Sequence, residues 1–329
     1  MELQQVRNLR PRERAARQAL LEKTGLQEDT LVEEVALLWD GSTLAATGSR
    51  QGNLLKCIAV DSAYQGEGLL AAVLTALRQS AFAAGHTHLF LYTKPENEYL
   101  FSDLFFYPIA KTQKVLLMED RAGGIRDFVQ SLPQGTEDAA ALVMNCDPFT
   151  LGHRHVVATA ARECSRVFVL VLSEDKGCFS AKDRLEMVKR GTADLPNVTV
   201  LSTGPYLISS ATFPTYFLKD RDQAPQIQCA LDIEIFVRYF VPRLQIRRRY
   251  VGQEPLSPMT AMYNEALKAN LPPKGVQVVE IPRLETGGQP ISASRVRALV
   301  KEGQWDAVKQ LVPDTTYDYL MKLHQEEAL

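Results

Sequence analysis

Six consecutive apolar residues, Val167–Leu172, constrain this chain more than any other feature. A strand that is apolar on both faces has to be covered on both faces, which points to a parallel sheet between two layers of crossover helices. The flanking pattern agrees. Strand-like runs at Ala140–Met144, Val167–Leu172, Val198–Ser202, Ile227–Leu231, Ile246–Val251 and Val276–Ile281 alternate with helical periodicity. The helices are expected at Gly152–Cys164, Ala181–Arg190, Phe213–Asp220, Glu234–Phe240, Met259–Ala269 and Ala293–Glu302.

The first part of the chain reads differently. A helical stretch near Pro11–Lys23 precedes three β-like runs, Glu34–Trp39, Leu44–Ser49 and Leu54–Val60, separated by Asp40-Gly41 and Gln51-Gly52-Asn53 turns. After this antiparallel meander come the glycine loop Tyr64-Gln65-Gly66-Glu67-Gly68, a helix from Leu69 to Ala84 and a strand at Thr87–Tyr92. The turn-rich segment from Gly123-Gly124 to Gly135 marks the boundary, with a short connecting helix near Ile125–Gln130. Two domains are therefore expected, 1–130 and 131–329, in line with a length of 329 residues.

Composition excludes several function classes. A formal net charge of -2 provides no field for nucleic acid or an anionic membrane. The one compact basic run, Arg247-Arg248-Arg249, reads as a solvated edge. No apolar run approaches the ~18 residues of a membrane span. The cysteines, Cys57, Cys146, Cys164, Cys178 and Cys229, are odd in number and lack C-x-x-C spacing, which argues against a disulfide framework or a zinc cage and suits the cytoplasm. The arginines between Arg7 and Arg17 are read as an ordinary first helix, with a transit peptide as the alternative.

Ligands of an open parallel sheet bind beyond the carboxyl ends of its strands. There the first strand of the second domain runs into Asn145-Cys146-Asp147-Pro148-Phe149-Thr150-Leu151-Gly152-His153. Pro148 forces a turn, Gly152 lets backbone approach a ligand, and a helix N-terminus turns free N–H groups toward an anion. Thr150 and His153 share its first turn. Near the other end of the domain, Ile291-Ser292-Ala293-Ser294-Arg295-Val296-Arg297 offers a second helix start with Ser292 as cap.

Thr-x-Gly-His after a first strand resembles the signature of the HxGH nucleotidyltransferase superfamily, and residues 291–297 resemble its I-S-x-[ST]-x-x-[RK] motif. The resemblance implies a Rossmann-like parallel-sheet domain in which Thr150, His153 and Arg297 act on the triphosphate of ATP, with Asn145, Asp147, Phe149, Gly152, Ile291, Ser292 and Ser294 shaping the nucleotide site. Lys176…Phe179-Ser180…Arg184 resembles a further phosphate-contacting region, which adds Lys176 and Arg184. Val251-Gly252-Gln253-Glu254-Pro255 resembles the family's Gly-x-[DE] loop, which adds Gly252 and Glu254. No protein-held metal site is expected, although Mg2+ accompanies the nucleotide. Asp232 is expected at the cleft mouth or as a helix cap.

The glycine loop and the elements around it resemble a GNAT acyltransferase, implying an α+β domain. Leu70 stands where that family has a small residue and Phe105 where it has glycine, so bulk is expected near the cofactor groove and turnover of acetyl-CoA is not expected. The domain then holds the CoA-like arm of a carrier protein or serves as a docking surface.

From about Glu33 onward the chain is similar to the citrate lyase ligase family, through Thr93–Asn97, Asn145–His153, Ser173–Lys176, Tyr250–Pro255 and Ile291–Arg297. That likeness implies a ligase that joins acetate and ATP into acetyl-adenylate and pyrophosphate. The acetyl group then passes to the thiol of the prosthetic group on the citrate lyase acyl carrier protein. Two rivals share the phosphate-binding residues: an adenylyltransferase acting on a phosphomonoester (pantetheine-phosphate or mononucleotide type), and a non-catalytic nucleotide sensor.

Overall fold

The computed structural model describes residues 1–29, 31–174, 177–207, 213–218, 220–254 and 257–327. The chain forms two compact units: Met1–Gly124 with Phe213–Leu231, and Ile125–Thr212 with Asp232–Leu329. The division expected from the sequence differs in two respects. The connecting helix belongs with the second unit, and a segment from the middle of the second half belongs with the first.

In the first unit the chain runs β1 (Glu2–Val6), α1 (Pro11–Lys23), β2 (Glu34–Asp40), β3 (Thr43–Gln51), β4 (Leu54–Val60), α2 (Leu69–Ala83), β5 (Phe90–Thr93), α3 (Glu98–Ser102), β6 (Tyr107–Lys111) and β7 (Leu116–Glu119). Its seven strands lie in the order β1-β2-β3-β4-β5-β7-β6. Every pair is antiparallel except β4 and β5, which run parallel and meet only at Leu54–Phe90 and Leu55–Leu91. This is the GNAT-like α+β arrangement. Beyond that short pairing lies a cavity of about 640 Å3, lined by Ile58–Val60, Leu91–Thr93 and the Gly66–Ala71 turn into α2. Gly66 and Gly68 hold the loop at φ 86° and 73°, where a side chain would be strained.

Leu70 lines that cavity as expected. Phe105 does not. Its backbone keeps the left-handed conformation that glycine would favour (φ 61°), and its side chain points to solvent, 69% exposed. The crowding expected from Phe105 is therefore absent, because the substitution is absorbed as local backbone strain of about 1 kcal/mol.

From there the chain runs α4 (Gly124–Ser131), β8 (Ala139–Met144), α5 (Leu151–Glu163), β9 (Val167–Val171), α6 (Ala181–Gly191), β10 (Val198–Ser202), α7 (Ala224–Ile235), whose residues up to Leu231 belong to the first unit, α8 (Val241–Leu244), β11 (Ile246–Gly252), α9 (Pro258–Asn270), β12 (Gln277–Ile281), a small hairpin β13 (Glu285–Thr286) and β14 (Gln289–Pro290), α10 (Ala293–Lys301), α11 (Trp305–Lys309) and α12 (Asp314–Glu327). Five parallel strands are ordered β10-β9-β8-β11-β12, the Rossmann-like arrangement. All of β9 is buried, as its composition requires.

Two expected elements differ. Ile227–Leu231 is helical, part of α7, and residues 213–218 form no helix but turn at Tyr216–Phe217. The alternation Ile227, Cys229, Leu231, Ile233, Ile235 mimics a strand. Gln228 and Asp232 between them are buried too, so the period of two does not describe an outer and an inner face. Phe213, Tyr216, Phe217 and Leu218 are all buried, which leaves no polar face for an amphipathic helix. They pack within the first unit instead. Gln27, just past α1, donates its N–H to the Tyr216 carbonyl at 2.7 Å, and the Tyr216 hydroxyl donates to the Tyr92 carbonyl at 2.5 Å.

Tyr216→Phe is expected to lower stability by about 1–2 kcal/mol, because the Tyr92 carbonyl would lose a buried donor. Urea unfolding checks this, and an unchanged midpoint would show that the 213–218 segment does not anchor there.

Candidate active site

The chain reverses direction in the sheet between β8 and β11, and a cavity of about 340 Å3 opens beyond their carboxyl ends. Such a reversal leaves a crevice because the two crossovers leave on opposite sides. Of the expected site residues, Asn145, Thr150, Gly152, His153, Gly252, Glu254, Ile291 and Ser292 line it. Fragments almost 150 residues apart in sequence therefore meet in one place.

Thr150 caps α5. Its hydroxyl accepts the His153 N–H at 3.2 Å, and its own N–H donates to His153 Nδ1 at 3.1 Å. An Nδ1 that accepts is unprotonated, so the neutral ring carries its proton on Nε2. Burial, and after it the Arg283 guanidinium, push the His153 pKa down to about 4, so the ring is neutral across the physiological range. Phe149, fully buried, stacks beneath it with centroids 5.9 Å apart and planes 12° from parallel. A Cβ at Gly152 would meet Ile291 O and Thr150 Oγ1 only at 3.5 Å, so the protein itself does not demand glycine there. Ser292 caps α10 by accepting the Arg295 N–H at 3.2 Å, and its hydroxyl lies 3.1 Å from that of Ser294, which is exposed.

Other expected residues stand behind the cavity and hold it. Asp147 accepts the Cys178 N–H at 3.1 Å and the Phe179 N–H at 3.0 Å. Arg297 donates to the Asp147 carbonyl and lies 3.5 Å from its carboxylate. Arg184 is fully buried and donates to Asn145 O and Oδ1 at 2.8 and 2.6 Å, and to the Phe179 and Glu174 carbonyls. With Oδ1 committed, the Asn145 amide presents its NH2 group as the remaining donor. Asp147, Phe149, Arg184, Ser294 and Arg297 do not line this cavity; Phe149 and Arg184 touch the lining residues His153 and Asn145, and Ser294 stands beside Ser292. Lys176 lies outside the described residues.

Glu254, on the expected loop, forms an ion pair with Arg283 and accepts the Ser257 N–H at 3.2 Å. Arg283 was not anticipated, although it directly follows the last strand, where ligand groups gather; it also donates to the Ile291 carbonyl at 3.3 Å. Asn264, Tyr263 and Arg249 line the cavity as well. Asn264 donates to the Gly252 carbonyl at 2.9 Å. Asp232 is neither a cap nor at a mouth. It lies inside α7, accepts the Tyr263 hydroxyl, and is raised by burial to about 6. The basic run expected at a solvated edge is not uniformly exposed: Arg247 is exposed, while Arg249, two residues further along β11, is 3% exposed.

Among the described residues no group of three or more His, Cys, Asp or Glu side chains is placed to hold a metal ion, and no helix is long and apolar enough to cross a membrane. The fold and the cavity define a Rossmann-like protein in which two capped helix N-termini border one cavity. Residues 139–320 match the family described as citrate lyase ligase C-terminal domain. The chain is 41% identical over 292 residues to the citrate (pro-3S)-lyase ligase of Klebsiella pneumoniae, covering 86% of this chain and 85% of that one. It is 37% identical over 314 residues to the protein of the same name from Escherichia coli K12, covering 92% and 89%. The corresponding Haemophilus influenzae protein is 34% identical over 315 residues, covering 93% and 94%. The chain belongs to the citrate lyase ligase family and is a ligase.

Because the folded His153 pKa is depressed, its contribution to stability is fully present above the unfolded value near 6.5 and is lost as pH falls toward 4. His153→Asn is expected to flatten the fall in melting temperature over that interval. A parent and a variant with parallel curves would show that His153 titrates normally.

Proposed function

We propose that this chain activates acetate with ATP as acetyl-adenylate and passes the acetyl group to the prosthetic-group thiol of the citrate lyase acyl carrier protein. The observation that carries this reading is the convergence of two capped helix N-termini, those of α5 and α10, on one cavity rich in hydrogen-bond donors. The name shared by the curated relatives supports it.

The chemistry suits such a lining. Acetate is ionised at neutral pH, so its attack on the α-phosphorus calls for no general base. One acetate oxygen forms the new O–P bond as the bond to the bridging oxygen breaks, and pyrophosphate leaves with that electron pair. What the protein supplies is alignment and neutralisation of spreading negative charge. His153 Nε2–H, the Thr150 hydroxyl, the Asn145 amide, Ser292 and the Gly152 N–H at the start of α5 are donors for that task. Arg184 and Arg297 act by holding Asn145 and Asp147 in place and by their positive charge. In the second step the carrier thiolate adds to the acetyl carbon, and AMP leaves.

Mg2+ enters on the triphosphate itself in this scheme. Glu254, the carboxylate among the described lining residues, is committed to Arg283, so the cavity fits phosphates better than a bare cation, and no step here runs through the metal. The cavity of the first unit, with Gly66 and Gly68 at its α2 end, suits the pyrophosphate-bearing arm of the carrier. Five unpaired cysteines suit a cytoplasmic location.

A pyrophosphate-release assay with ATP and a panel of carboxylates and phosphomonoesters tests the reaction: release with acetate is expected, and release only with a phosphomonoester would replace this reading. His153→Ala is expected to cut the acetate-dependent rate by about 10²–10³ while ATP binding stays nearly unchanged, since one donor to transition-state charge is removed. Acetyl-CoA without ATP is expected to acetylate nothing.

A further inference from the structure

Adjacent residues of β11 leave the sheet on opposite faces. Tyr250 turns toward α5 and donates to Glu163 at 2.7 Å. Arg249 therefore turns to the other face, with its guanidinium 4.8 Å from the Phe236 ring centre. Tyr263 and Asp232 stand beside it, and Glu174 is near enough to act on the Asp232 carboxyl.

Arg249 is 3% exposed, and its Nε and Nη1 are shut off from water with no hydrogen-bond partner. Buried guanidinium groups ordinarily spend their donors, as Arg184 does on Asn145, Phe179 and Glu174. Asp232 accepts from the Tyr263 hydroxyl and makes no hydrogen bond to Arg249, on which its charge acts only through space. A guanidinium in the wall of a cavity with two unmet donors has places left for an acceptor.

We propose that Arg249 binds the carboxylate of the acyl substrate. This rests on the adenylate-forming reading above and goes beyond it by assigning the recognition of the acid. A phosphate is the poorer fit for three reasons. The capped helix N-termini already serve the triphosphate; Arg249 sits in mid-strand on the face turned away from α5; and Asp232 beside it disfavours a dianion. A planar monocarboxylate matches a guanidinium, which holds one oxygen and leaves the other to attack phosphorus. Val143, two residues along β8 from the Ala141 that pairs with Arg249, lines the same cavity and gives the short acyl group an apolar contact.

Three measurements on the full chain test this. Arg249→Met is expected to raise the KM for acetate about 10- to 100-fold, the worth of one charge-assisted contact. Its kcat at saturating acetate and its calorimetric Kd for ATP should stay within about threefold of the parent. Arg249→Lys, which keeps the charge and carries the test if the Met variant does not fold, should fall between the two. Saturation-transfer NMR of the acetate methyl group, with a non-hydrolysable ATP analogue present, should show binding to the parent that is lost in Arg249→Met. An unchanged acetate KM in both variants would overturn the proposal, as would a tenfold weaker ATP Kd with acetate KM unmoved. If no carboxylate drives pyrophosphate release in the parent, the adenylate reading fails, and the NMR arm still decides Arg249. Acetate saturation that survives in the Met variant, or is missing from the parent, overturns it.

Discussion

Asp147 lies three residues past the first parallel strand, and its two carboxylate oxygens take the Cys178 and Phe179 N–H groups at 3.1 and 3.0 Å. Arg297, from the far end of the chain, donates to its carbonyl and stands 3.5 Å from its carboxylate. One buried side chain thereby joins the loop after β8, the loop after β9 and helix α10. The fit is close: a Cβ on Gly177 would come within 2.7 Å of the Asp147 carboxyl. Its charge is met by two backbone N–H groups and a nearby guanidinium, so it organises these loops with little of that charge left uncompensated.

The cavity that results is preorganised rather than acidic or basic in the proton-transfer sense. His153 is held neutral by burial and by Arg283, and its Nδ1 is used up by the Thr150 N–H. It is a poor base at the pH of a cell. Its Nε2–H is left as a donor held in a fixed direction. Phe149 below and Thr150 beside it fix the ring plane, which places that donor on a rigid helix terminus instead of a loop.

Much of this was legible in the residues. The both-face apolar strand and the spacing of Thr150–His153 and Ile291–Arg297 carried the second domain and the family, because motifs at strand ends have local causes. The division of labour within the motifs was not legible. Whether Arg184 faces a ligand or Asn145 depends on which loop folds back over it, a matter of tertiary contact. Arg249 was hidden by its neighbours: in Arg247-Arg248-Arg249 only the strand's place between β8 and β12 decides which arginine is buried. Strands β1, β6 and β7 are short and polar at their ends, and they escaped notice because pairing, not pattern, makes them strands.

The misread segment Ile227–Leu231 matters most for where the cavity lies. Were it a parallel strand, it would stand fourth in the sheet. The reversal of strand order would then involve its own carboxyl end. Because it is helical, β11 pairs directly with β8, with Arg249 opposite Ala141. The reversal therefore falls between the ends of those two strands, and the loop after β8, carrying Asn145 to His153, faces the loop after β11, carrying Gly252 to Glu254. The same helix supplies Asp232 and leads into Phe236, the two groups that border Arg249 on the far face of the sheet. The loss of one expected strand thus sets both the place of the crevice beyond β8 and β11 and the surroundings of the buried cation beside it.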